Sequence, residues 1–480
     1  MLALEVELKR GQKCLIKSER GGYFFIVEGL LEIFGMQLGA GEKIYVPIGR
    51  VFPILVIEDS KLILENCDLV RISEDLFPPE WFKTIERILN AMEDKKNLSI
   101  CVLGYTDVGK SSLILLLTNK LVKKGYTVGI LDADIGQSKI GPPGVIGAAI
   151  IRHPVLDLSD IPMEVGYFIG DKTPEGHLLP QVIGVSKLFS FLRNKCDAIL
   201  IDTTGMVHGG PARALKLYKV DNVHPDFLII LEKYREAEHL VKLLQKSANE
   251  IIRLPSPKTL KSTARPARIA LRTYSFKKFV KTAHEKTIEV KFSDISLQEC
   301  VLGTGYPIPN PAKVFEDVTI LWAEVSPDIF LIITREPKHL HAKEELTAKA
   351  RRLMVSIKTL FIASRMNVSK ETIKHSPILS KMGAENVEAI AKVILRANIT
   401  EIPIRIIPKS VYENLYIGLL NKSGDLIAVG ILKDIDFQHQ KMLIKALFFK
   451  SQNDIAIIRM GYLKLNDNWE EIGKRRIGVG

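Results

Sequence analysis

The sequence predicts an α/β fold in which a central domain with a mostly parallel β-sheet is flanked by a small N-terminal β domain and a C-terminal mixed, β-rich domain. Three observations lead to this prediction. The 480 residues exceed the length of one ordinary domain. Apolar strands alternate with helical segments only in the middle of the chain. Short β-like runs broken by turn residues occur before and after that region.

Residues 1–75 are predicted to form the N-terminal β domain. Short apolar or alternating runs such as KCLIKS, YFFIVEG and FPILVIED are separated by glycine and asparagine, which favour turns. A Pro-Pro pair within residues 73–82 predicts a linker, and the pattern WFKTIERILNAMEDKK predicts a helix directly after it.

Residues 76–284 are predicted to form the central domain. Five apolar runs are candidate strands, namely LSICVLG, TVGILDAD, AILIDTT, FLIILE and EIIRLP. Because helical segments separate most of them, we expect a parallel sheet that is covered on both faces.

Residues 285–480 return to β-like runs, among them KTIEVKFSD, VTILWAEV and LIAVGILKDID. An amphipathic helical stretch at about 342–397 interrupts these runs. The sequence therefore predicts a third, β-rich domain that contains a helical insertion.

The composition limits the possible partners and the compartment. The formal charge of +12 and the pI near 9.2 are compatible with a polyanionic partner but do not require one. The five cysteines form no Cys-x-x-Cys pair and no zinc-type cluster, which fits a reducing compartment. We find neither a signal-peptide pattern nor an apolar run of about 18 residues, so we expect a cytoplasmic protein without a membrane association.

The stretch GYTDVGKSS, directly after the apolar run LSICVL, has the pattern of a phosphate-binding P-loop between a strand and a helix. Its glycines permit a tight turn whose N–H groups point at an anion, and the following helix adds its positive end. Lys110 can bridge the β- and γ-phosphates, and the Ser111 hydroxyl can bind Mg2+. The predicted nucleotide-binding residues are Gly104, Tyr105, Thr106, Asp107, Val108, Gly109, Lys110, Ser111 and Ser112.

Three carboxylates follow two of the predicted strands. Asp132 and Asp134 end one strand, and Asp202 ends the next. Ligands of open α/β sheets bind at the carboxyl ends of the strands, so these groups can bind a metal ion or accept a proton. The spacing does not decide which of them lies in the metal shell. Thr203 and Gly205 continue into a loop that could wrap the phosphates.

The stretch 258–279 is strongly cationic. Arg265, Arg268 and Arg272 share one face if the segment is helical, and Pro266 favours a helix that begins there. Such a face can close over the phosphates as a lid, or it can be an ordinary solvated basic helix. A turn-rich segment, YFIGDKTPEGH, reads on its own as a surface loop.

Taken together, these motifs resemble the RNA 5′-hydroxyl kinases of the Clp/Grc family over nearly the whole chain. GYTDVGKSS resembles that family's P-loop, and DADIGQ resembles its variant Walker B motif, with Asp134, Gly136 and Gln137 as the Asp-x-Gly-Gln signature. DTTGMVHG is similar to its clasp loop, which gives Thr203 and Gly205 that role.

YFIGDKTPEGH is also similar to a loop of this family, and Arg268-x-x-x-Arg272 is similar to its arginine lid. GLLEIFGMQL resembles the family's N-terminal β domain, and residues 412–437 resemble its C-terminal domain. The helical stretch at about 342–397 has no match in the pattern, and the lid has fewer arginines than the family pattern.

The resemblance implies ATP-dependent phosphorylation of the 5′-hydroxyl end of a nucleic acid, with RNA favoured. It implies that Asp134 is the general base, that Ser111 binds Mg2+ or another divalent cation, and that Lys110 with Arg268 or Arg272 stabilises charge on the γ-phosphoryl group. Gln137 and the clasp residues would lie on the substrate side.

Two other functions share the P-loop. A regulatory ATPase of the cytoskeletal or metal-chaperone type would more often carry a second lysine early in the loop, and residues 105–108 have none. A scaffold subunit of an RNA-processing complex would hold ATP with little turnover. The sequence does not distinguish RNA from DNA or ATP from GTP, and it does not fix the oligomeric state, the protein partners or the role of the C-terminal domain.

Overall fold

The structure is a computed structural model that describes residues 4–260, 265–363, 368–450 and 454–475. The chain forms two compact units, residues 1–283 and residues 284–480. Within the described ranges, no helix combines the length and the apolar character that a bilayer crossing requires.

The first unit begins with a seven-stranded antiparallel sheet. Its order is β4-β3-β6-β2-β7, with β1 paired to β6 and β5 paired to β3. The strands are β1 (Leu4–Leu8), β2 (Lys13–Lys17), β3 (Gly22–Ile33), β4 (Met36–Gly39), β5 (Lys43–Val46), β6 (Val51–Glu65) and β7 (Asp68–Ile72). A Cβ atom at Gly29 would lie 2.2 Å from the Ser60 hydroxyl oxygen, so the irregular pairing of β3 with β6 requires glycine there.

A second, seven-stranded sheet lies at the centre of this unit, in the order β11-β10-β9-β12-β8-β13-β14. The elements are α1 (Pro79–Asp94), β8 (Leu98–Gly104), α2 (Lys110–Lys123), β9 (Val128–Ala133), β10 (Val145–Ile151), β11 (Val165–Phe168), α3 (Leu178–Arg193), β12 (Ala198–Thr203), α4 (Gly210–Val223), β13 (Phe227–Glu232), α5 (Glu238–Leu244), β14 (Glu250–Pro255) and α6 (Arg265–Thr282). The five strands predicted from the sequence are parallel to one another. The predicted mostly parallel sheet is confirmed.

Strands β10 and β11 extend this sheet in antiparallel fashion and did not appear among the predicted strands. Every residue of β8, β9, β12 and β13 is buried, as expected for strands covered on both faces. Asp202 pairs in register with Asp132, so two of the predicted carboxylates lie side by side where β12 and β9 end.

The second unit contains two sheets. A seven-stranded sheet has the order β15-β23-β22-β21-β24-β16 with β25 on β24, and a four-stranded sheet has the order β17-β18-β19-β20. The elements are β15 (His284–Lys291), β16 (Ser296–Gln298), β17 (Tyr306–Pro307), α7 (Pro311–Phe315), β18 (Ile320–Val325), β19 (Phe330–Thr334), α8 (Leu340–Ala363), α9 (Lys370–Lys374), α10 (Ala384–Ile394), β20 (Ile404–Pro408), β21 (Leu415–Leu420), β22 (Leu426–Asp436), β23 (Lys441–Phe448), β24 (Ile457–Leu465) and β25 (Glu471–Lys474).

The predicted helical stretch lies between β19 and β20 and contains α8, α9 and α10. These two strands are parallel, and a parallel pair needs a long crossover connection. Apolar residues of α8 and α10, such as Leu353 and Ile390, share one buried core with Phe330 and Ile332 of β19. The helices therefore cover a face of the four-stranded sheet.

Candidate nucleotide and phosphoryl-transfer site

The P-loop joins β8 to α2 as the sequence predicts. Gly104, Asp107 and Gly109 have positive φ angles of 155°, 59° and 100°. A Cβ atom at Gly104 would lie 2.3 Å from the Leu231 carbonyl oxygen, so the loop leaves the strand where only glycine fits. All nine predicted nucleotide-binding residues lie in this loop and in the first turn of α2.

Lys110 lies inside the P-loop. Its ammonium group donates a hydrogen bond of 2.8 Å to the carbonyl oxygen of Tyr105. Burial lowers the pKa of Lys110, while the negative charges of Asp202 and Asp134 act in the opposite direction. Both carboxylates are therefore close enough to influence this ammonium group.

Asp202 lies beside the first turn of α2. Its Oδ2 atom accepts a hydrogen bond of 2.6 Å from the Ser111 hydroxyl and lies 3.4 Å from the ammonium nitrogen of Lys139. Its other oxygen, Oδ1, is buried and has no hydrogen-bond partner in the part of the chain that the structure describes. A buried carboxylate oxygen without a donor is a candidate ligand for a cation or for its bound water.

Asp132 has a different environment, although it is the neighbour of Asp202. It accepts hydrogen bonds from the backbone N–H groups of Asp134, Lys139 and Ile140, at 3.1, 2.5 and 3.2 Å. Burial raises the pKa of Asp132 to about 6, and the positive charge of Lys139 opposes that shift. Its carboxylate is the acceptor around which the loop 134–140 folds.

Asp134 is half-buried and begins that loop. One of its oxygens, Oδ1, accepts hydrogen bonds of 3.2 and 3.3 Å from the backbone N–H groups of Gly136 and Gln137. A Cβ atom at Gly136 would lie 2.8 Å from the carbonyl oxygen of Lys172. The Asp-x-Gly-Gln motif is thus a side-chain-capped turn packed against the segment 171–177.

The segment YFIGDKTPEGH reads from the sequence alone as a surface loop, but two of its ionisable side chains, Asp171 and His177, are buried. The His177 Nε2 and Asp171 Oδ2 atoms lie 3.2 Å apart, and each residue is about 2% exposed. Asp171 also accepts hydrogen bonds from the backbone N–H groups of Lys172 and Thr173. The loop therefore acts as a support for the turn at Gly136.

The predicted clasp loop follows β12. The Thr203 side chain is fully buried. Its hydroxyl group donates a hydrogen bond of 2.9 Å to the Val102 carbonyl oxygen and accepts one of 2.9 Å from the Lys216 ammonium group. Lys216 also donates a hydrogen bond of 2.5 Å to the Thr204 carbonyl oxygen. Burial lowers the pKa of Lys216 well below its ordinary value. Thr203 therefore anchors the loop, and Lys216 is an anchor that the sequence reasoning missed.

Gly205 brings the clasp loop against the P-loop. A Cβ atom at this position would lie 2.3 Å from the hydroxyl oxygen and 2.8 Å from the backbone nitrogen of Thr106. Glycine is therefore required for this close approach between the two loops.

The helix predicted to begin near Pro266 is confirmed, since α6 begins at Arg265. Arg268 Nη2 lies 3.2 Å from Asp107 Oδ2 of the P-loop, and Arg272 lines a cleft of about 50 Å³ together with Gln137. Residues 261–264 and the side chain of Arg265, which belong to the predicted lid, lie outside the described residues.

Arg50 and Asp157 are two further residues of this cleft that the sequence reasoning missed. Arg50 lies just before β6 of the N-terminal sheet, and its Nε–H group donates a hydrogen bond of 2.6 Å to Asp157 Oδ2. Burial opposes ionisation of Asp157, but the Arg50 charge and hydrogen bonds hold the pKa of Asp157 below its ordinary value. No local motif signals this pair, because its partners are far apart in the sequence.

Comparisons with known proteins agree with this geometry. Residues 104–282 match the family described as mRNA cleavage and polyadenylation factor CLP1 P-loop. The polyribonucleotide 5′-hydroxyl-kinase of Pyrococcus horikoshii is 27% identical over 379 residues, which cover 79% of this chain and 89% of that protein. Its counterpart from Methanocaldococcus jannaschii is 26% identical over 383 residues, covering 79% and 91%.

A eukaryotic relative matches less of the chain. The polyribonucleotide 5′-hydroxyl-kinase Clp1 of Bos taurus is 24% identical over 319 residues, which cover 61% of this chain and 73% of that protein. Among solved structures, Clp1p in a complex with a Pcf11p fragment superposes with a TM-score of 0.59 at 12% identity, covering 96% and 98% of the two chains. That structural likeness shows a shared fold. The resemblance inferred from the motifs is confirmed: this chain is similar over most of its length to polyribonucleotide 5′-hydroxyl-kinases, and its residues 104–282 match the CLP1 P-loop family.

Proposed function

We propose that this protein transfers the γ-phosphate of ATP to the 5′-hydroxyl end of RNA. The observation that carries the proposal is the arrangement of Asp134, Asp202 and Lys110 around one P-loop. In such a site, the ammonium group of Lys110 binds phosphate, Asp202 is a candidate for the metal shell, and Asp134 is a second carboxylate for proton transfer. Relatives that cover most of the chain are named for the same activity.

ATP is proposed to bind with its phosphates in the loop Gly104–Ser112. The ammonium group of Lys110 would exchange its hydrogen bond to the Tyr105 carbonyl oxygen for the β- and γ-phosphate oxygens. This exchange restores a negatively charged partner to a buried ammonium group, so it favours binding.

The residues around Ser111 fit a divalent cation such as Mg2+. The Ser111 hydroxyl oxygen and the unpartnered Oδ1 of Asp202 are oxygen ligands, the kind that Mg2+ prefers. No cluster of three or more His, Cys, Asp or Glu side chains is found in the described ranges, which is consistent with a cation held partly by nucleotide phosphates and water. When bound, the cation would neutralise charge that develops on the phosphates. Asp132 is less suited to this role because backbone N–H groups engage its carboxylate.

Asp134 is proposed to be the general base. In the described residues, hydrogen bonds are found to its Oδ1 only, which leaves Oδ2 for the substrate. As the 5′ oxygen of RNA forms a bond to the γ-phosphorus, its proton passes to Asp134. The bond from the γ-phosphorus to the bridging oxygen breaks at the same time, and ADP is the leaving group.

Two arginines of α6 are proposed to stabilise the transferring phosphoryl group. Arg268 reaches the P-loop through Asp107, and Arg272 lines the cleft beside Gln137. Guanidinium groups in such positions stabilise the charge on the equatorial phosphate oxygens. Because Arg268 already has a carboxylate partner, we assign the larger catalytic effect to Arg272.

The two alternative functions have no specific observation in their favour. A scaffold that only retains ATP can use Asp202 for its cation but has no need of a second carboxylate such as Asp134, and the relatives that cover most of the chain are named as kinases and not as ATPases. We also propose a cytoplasmic location, which the five free cysteines support because unpaired thiols are typical of a reducing compartment.

A labelling experiment tests the proposal. The protein is incubated with Mg2+ and ATP labelled in the γ-phosphate, together with a short oligoribonucleotide that ends in a 5′-hydroxyl group. We expect label on the RNA, no label on the same RNA with a 5′-phosphate, and weaker labelling of the matching DNA. Release of inorganic phosphate at a rate independent of RNA would instead favour the ATPase, and retention of ATP without labelling would favour the scaffold.

A further inference from the structure

Three aromatic rings lie next to one another at the P-loop. The rings of Tyr105 and His208 have centroids 5.6 Å apart and are tilted by 49°, whereas those of His208 and His239 are 5.6 Å apart and stacked with an angle of 24° between their planes. We call Tyr105, His208 and His239 the aromatic stack. They come from the P-loop, the clasp loop and α5, so three separate segments converge to build it.

One member of the aromatic stack is hydrogen-bonded to the protein, and the other two are exposed to solvent. His239 Nε2 donates a hydrogen bond of 2.7 Å to the carbonyl oxygen of Val207, which fixes its ring relative to the clasp loop. Tyr105 is 47% exposed, and His208 is also exposed. The rings of Tyr105 and His208 are therefore accessible to solvent, and the hydrogen bond of His239 orients the third ring beside them.

The position of Tyr105 marks the end of the P-loop at which the terminal phosphate would lie. The ammonium group of Lys110 is hydrogen-bonded to the Tyr105 carbonyl oxygen, and the lysine of a P-loop contacts the β- and γ-phosphates of a bound nucleotide. At the other end, Ser111 and Ser112 line a separate cavity with Arg50 and Leu158. Tyr105 therefore carries both the carbonyl oxygen that binds Lys110 and an exposed ring, which puts the aromatic stack beside the expected position of the γ-phosphate.

Cationic side chains occur near the aromatic stack along the chain. Arg213 is exposed in the first turn of α4, five residues after His208. Lys233 and Arg235 are exposed in the turn that leads into α5. Exposed rings on which bases stack, together with cations for the backbone phosphates, are the features by which proteins bind single-stranded RNA.

We propose that the aromatic stack is the binding platform for the first bases of a single-stranded acceptor RNA, which it aligns so that the 5′-hydroxyl group points at the γ-phosphate. The proposal rests on the proposed kinase function and adds the location of the acceptor. It implies that the protein prefers an unpaired 5′ end, because bases within a duplex are not free to stack on the rings.

The kinetic test compares His208→Ala with His208→Phe, which keeps a ring. We expect His208→Ala to raise the KM for a 5′-hydroxyl oligoribonucleotide about tenfold, in line with the loss of one stacked base, and His208→Phe to restore most of the affinity. The KM for ATP stays unchanged in both. Tyr218→Ala is the matched control, because Tyr218 is 58% exposed on α4 and lies outside the aromatic stack.

An abasic substrate links the effect to the bases. Removal of the first two bases of the RNA should raise the KM of the unchanged protein but have little further effect on His208→Ala. Equal losses in both proteins would show that the bases are bound elsewhere and would overturn the proposal. An unchanged KM for His208→Ala would overturn it as well, while the kinase function would stand.

A binding measurement separates this proposal from the proposed function. An RNA with 2-aminopurine as its first base loses fluorescence when that base stacks on a ring. We expect quenching with the unchanged protein and with His208→Phe, and about tenfold weaker binding with His208→Ala. Quenching that depends on His208 without any phosphorylation would uphold the platform and refute the kinase function. Tight binding without quenching would overturn the platform.

Discussion

The Ser111 hydroxyl and Asp202 Oδ2 lie 2.6 Å apart, so the first turn of α2 is hydrogen-bonded to the carboxyl end of β12. This bond places two oxygen donors at the position where a P-loop enzyme holds its cation. The proposed metal role of Asp202 therefore has a direct consequence for the dependence of activity on Mg2+.

Asp202→Asn should raise the Mg2+ concentration needed for half-maximal labelling by about 10- to 100-fold, because it removes the negative charge that supports the cation. The measurement is a Mg2+ titration of the initial rate at saturating ATP and RNA. Ser111→Ala should act in the same direction. A titration curve that coincides with that of the unchanged protein would show that Asp202 has no part in metal binding.

Asp134→Asn should lower kcat for RNA labelling by about 10²- to 10⁴-fold, the range typical of a lost general base. The amide retains an oxygen that can accept the N–H groups of Gly136 and Gln137, so the turn and ATP binding should persist. Rapid single-turnover labelling gives the chemical rate, and titration with a fluorescent ATP analogue gives the affinity. Full activity of Asp134→Asn would remove this residue as the base.

Arg272→Ala should lower kcat by at least about 10²-fold, because an arginine that contacts the transferring phosphoryl group contributes up to about 10³–10⁵. Arg272→Lys should recover little activity, since an ammonium group cannot form the planar, two-pronged contact of a guanidinium group. The measurement is the separation of kcat from the KM for ATP in both variants. A change in KM alone would contradict the lid assignment.

Lys219→Met should stabilise the protein at pH 7. Burial lowers the pKa of Lys219 from 10.5 to about 8, so its charged form is disfavoured in the folded state. The cost of the ammonium group is present in full below pH 8 and disappears as the pH rises towards 10.5. A shift of this size corresponds to about 3 kcal/mol in the free energy of unfolding.

Urea unfolding of the two proteins at pH 7 and pH 10 measures this effect. The advantage of Lys219→Met should be largest at pH 7 and should shrink at pH 10, whereas Lys123→Met, at an exposed position at the end of α2, should change little at either pH. A constant difference across this pH range would contradict the pKa assignment. The hydrogen bond of 3.3 Å that Lys219 donates to Gln181 is lost in the variant and reduces the gain.

Local spacing made much of the site predictable. The P-loop and the carboxylates at positions 132, 134 and 202 follow apolar strands, and each strand's carboxyl end is visible in the sequence as the point where an apolar run stops. Such signals depend on neighbours in the chain. Four of the five parallel strands, β8, β9, β12 and β13, were predictable for the same reason, since their full burial leaves continuous apolar runs.

Other features depend on contacts between distant segments, which no local pattern records. The antiparallel strands β10 and β11 are short apolar runs with only one 3-10 turn and no α-helix between them, so they lack the alternation that marks the parallel strands. The pairing of Arg50 with Asp157 spans 107 residues. Lys216 occurs in a helix with many polar residues, and its burial against Thr203 follows only from the docking of α4 on the sheet.

The hydrogen bonds that Asp132 accepts hold the loop that carries the proposed base, Asp134. Because the backbone N–H groups of Lys139 and Ile140 bind this carboxylate, the fold itself holds the loop 134–140 in its geometry. Little reorganisation energy then remains to be supplied during each turnover. The proposed base is thus preorganised by a neighbouring aspartate.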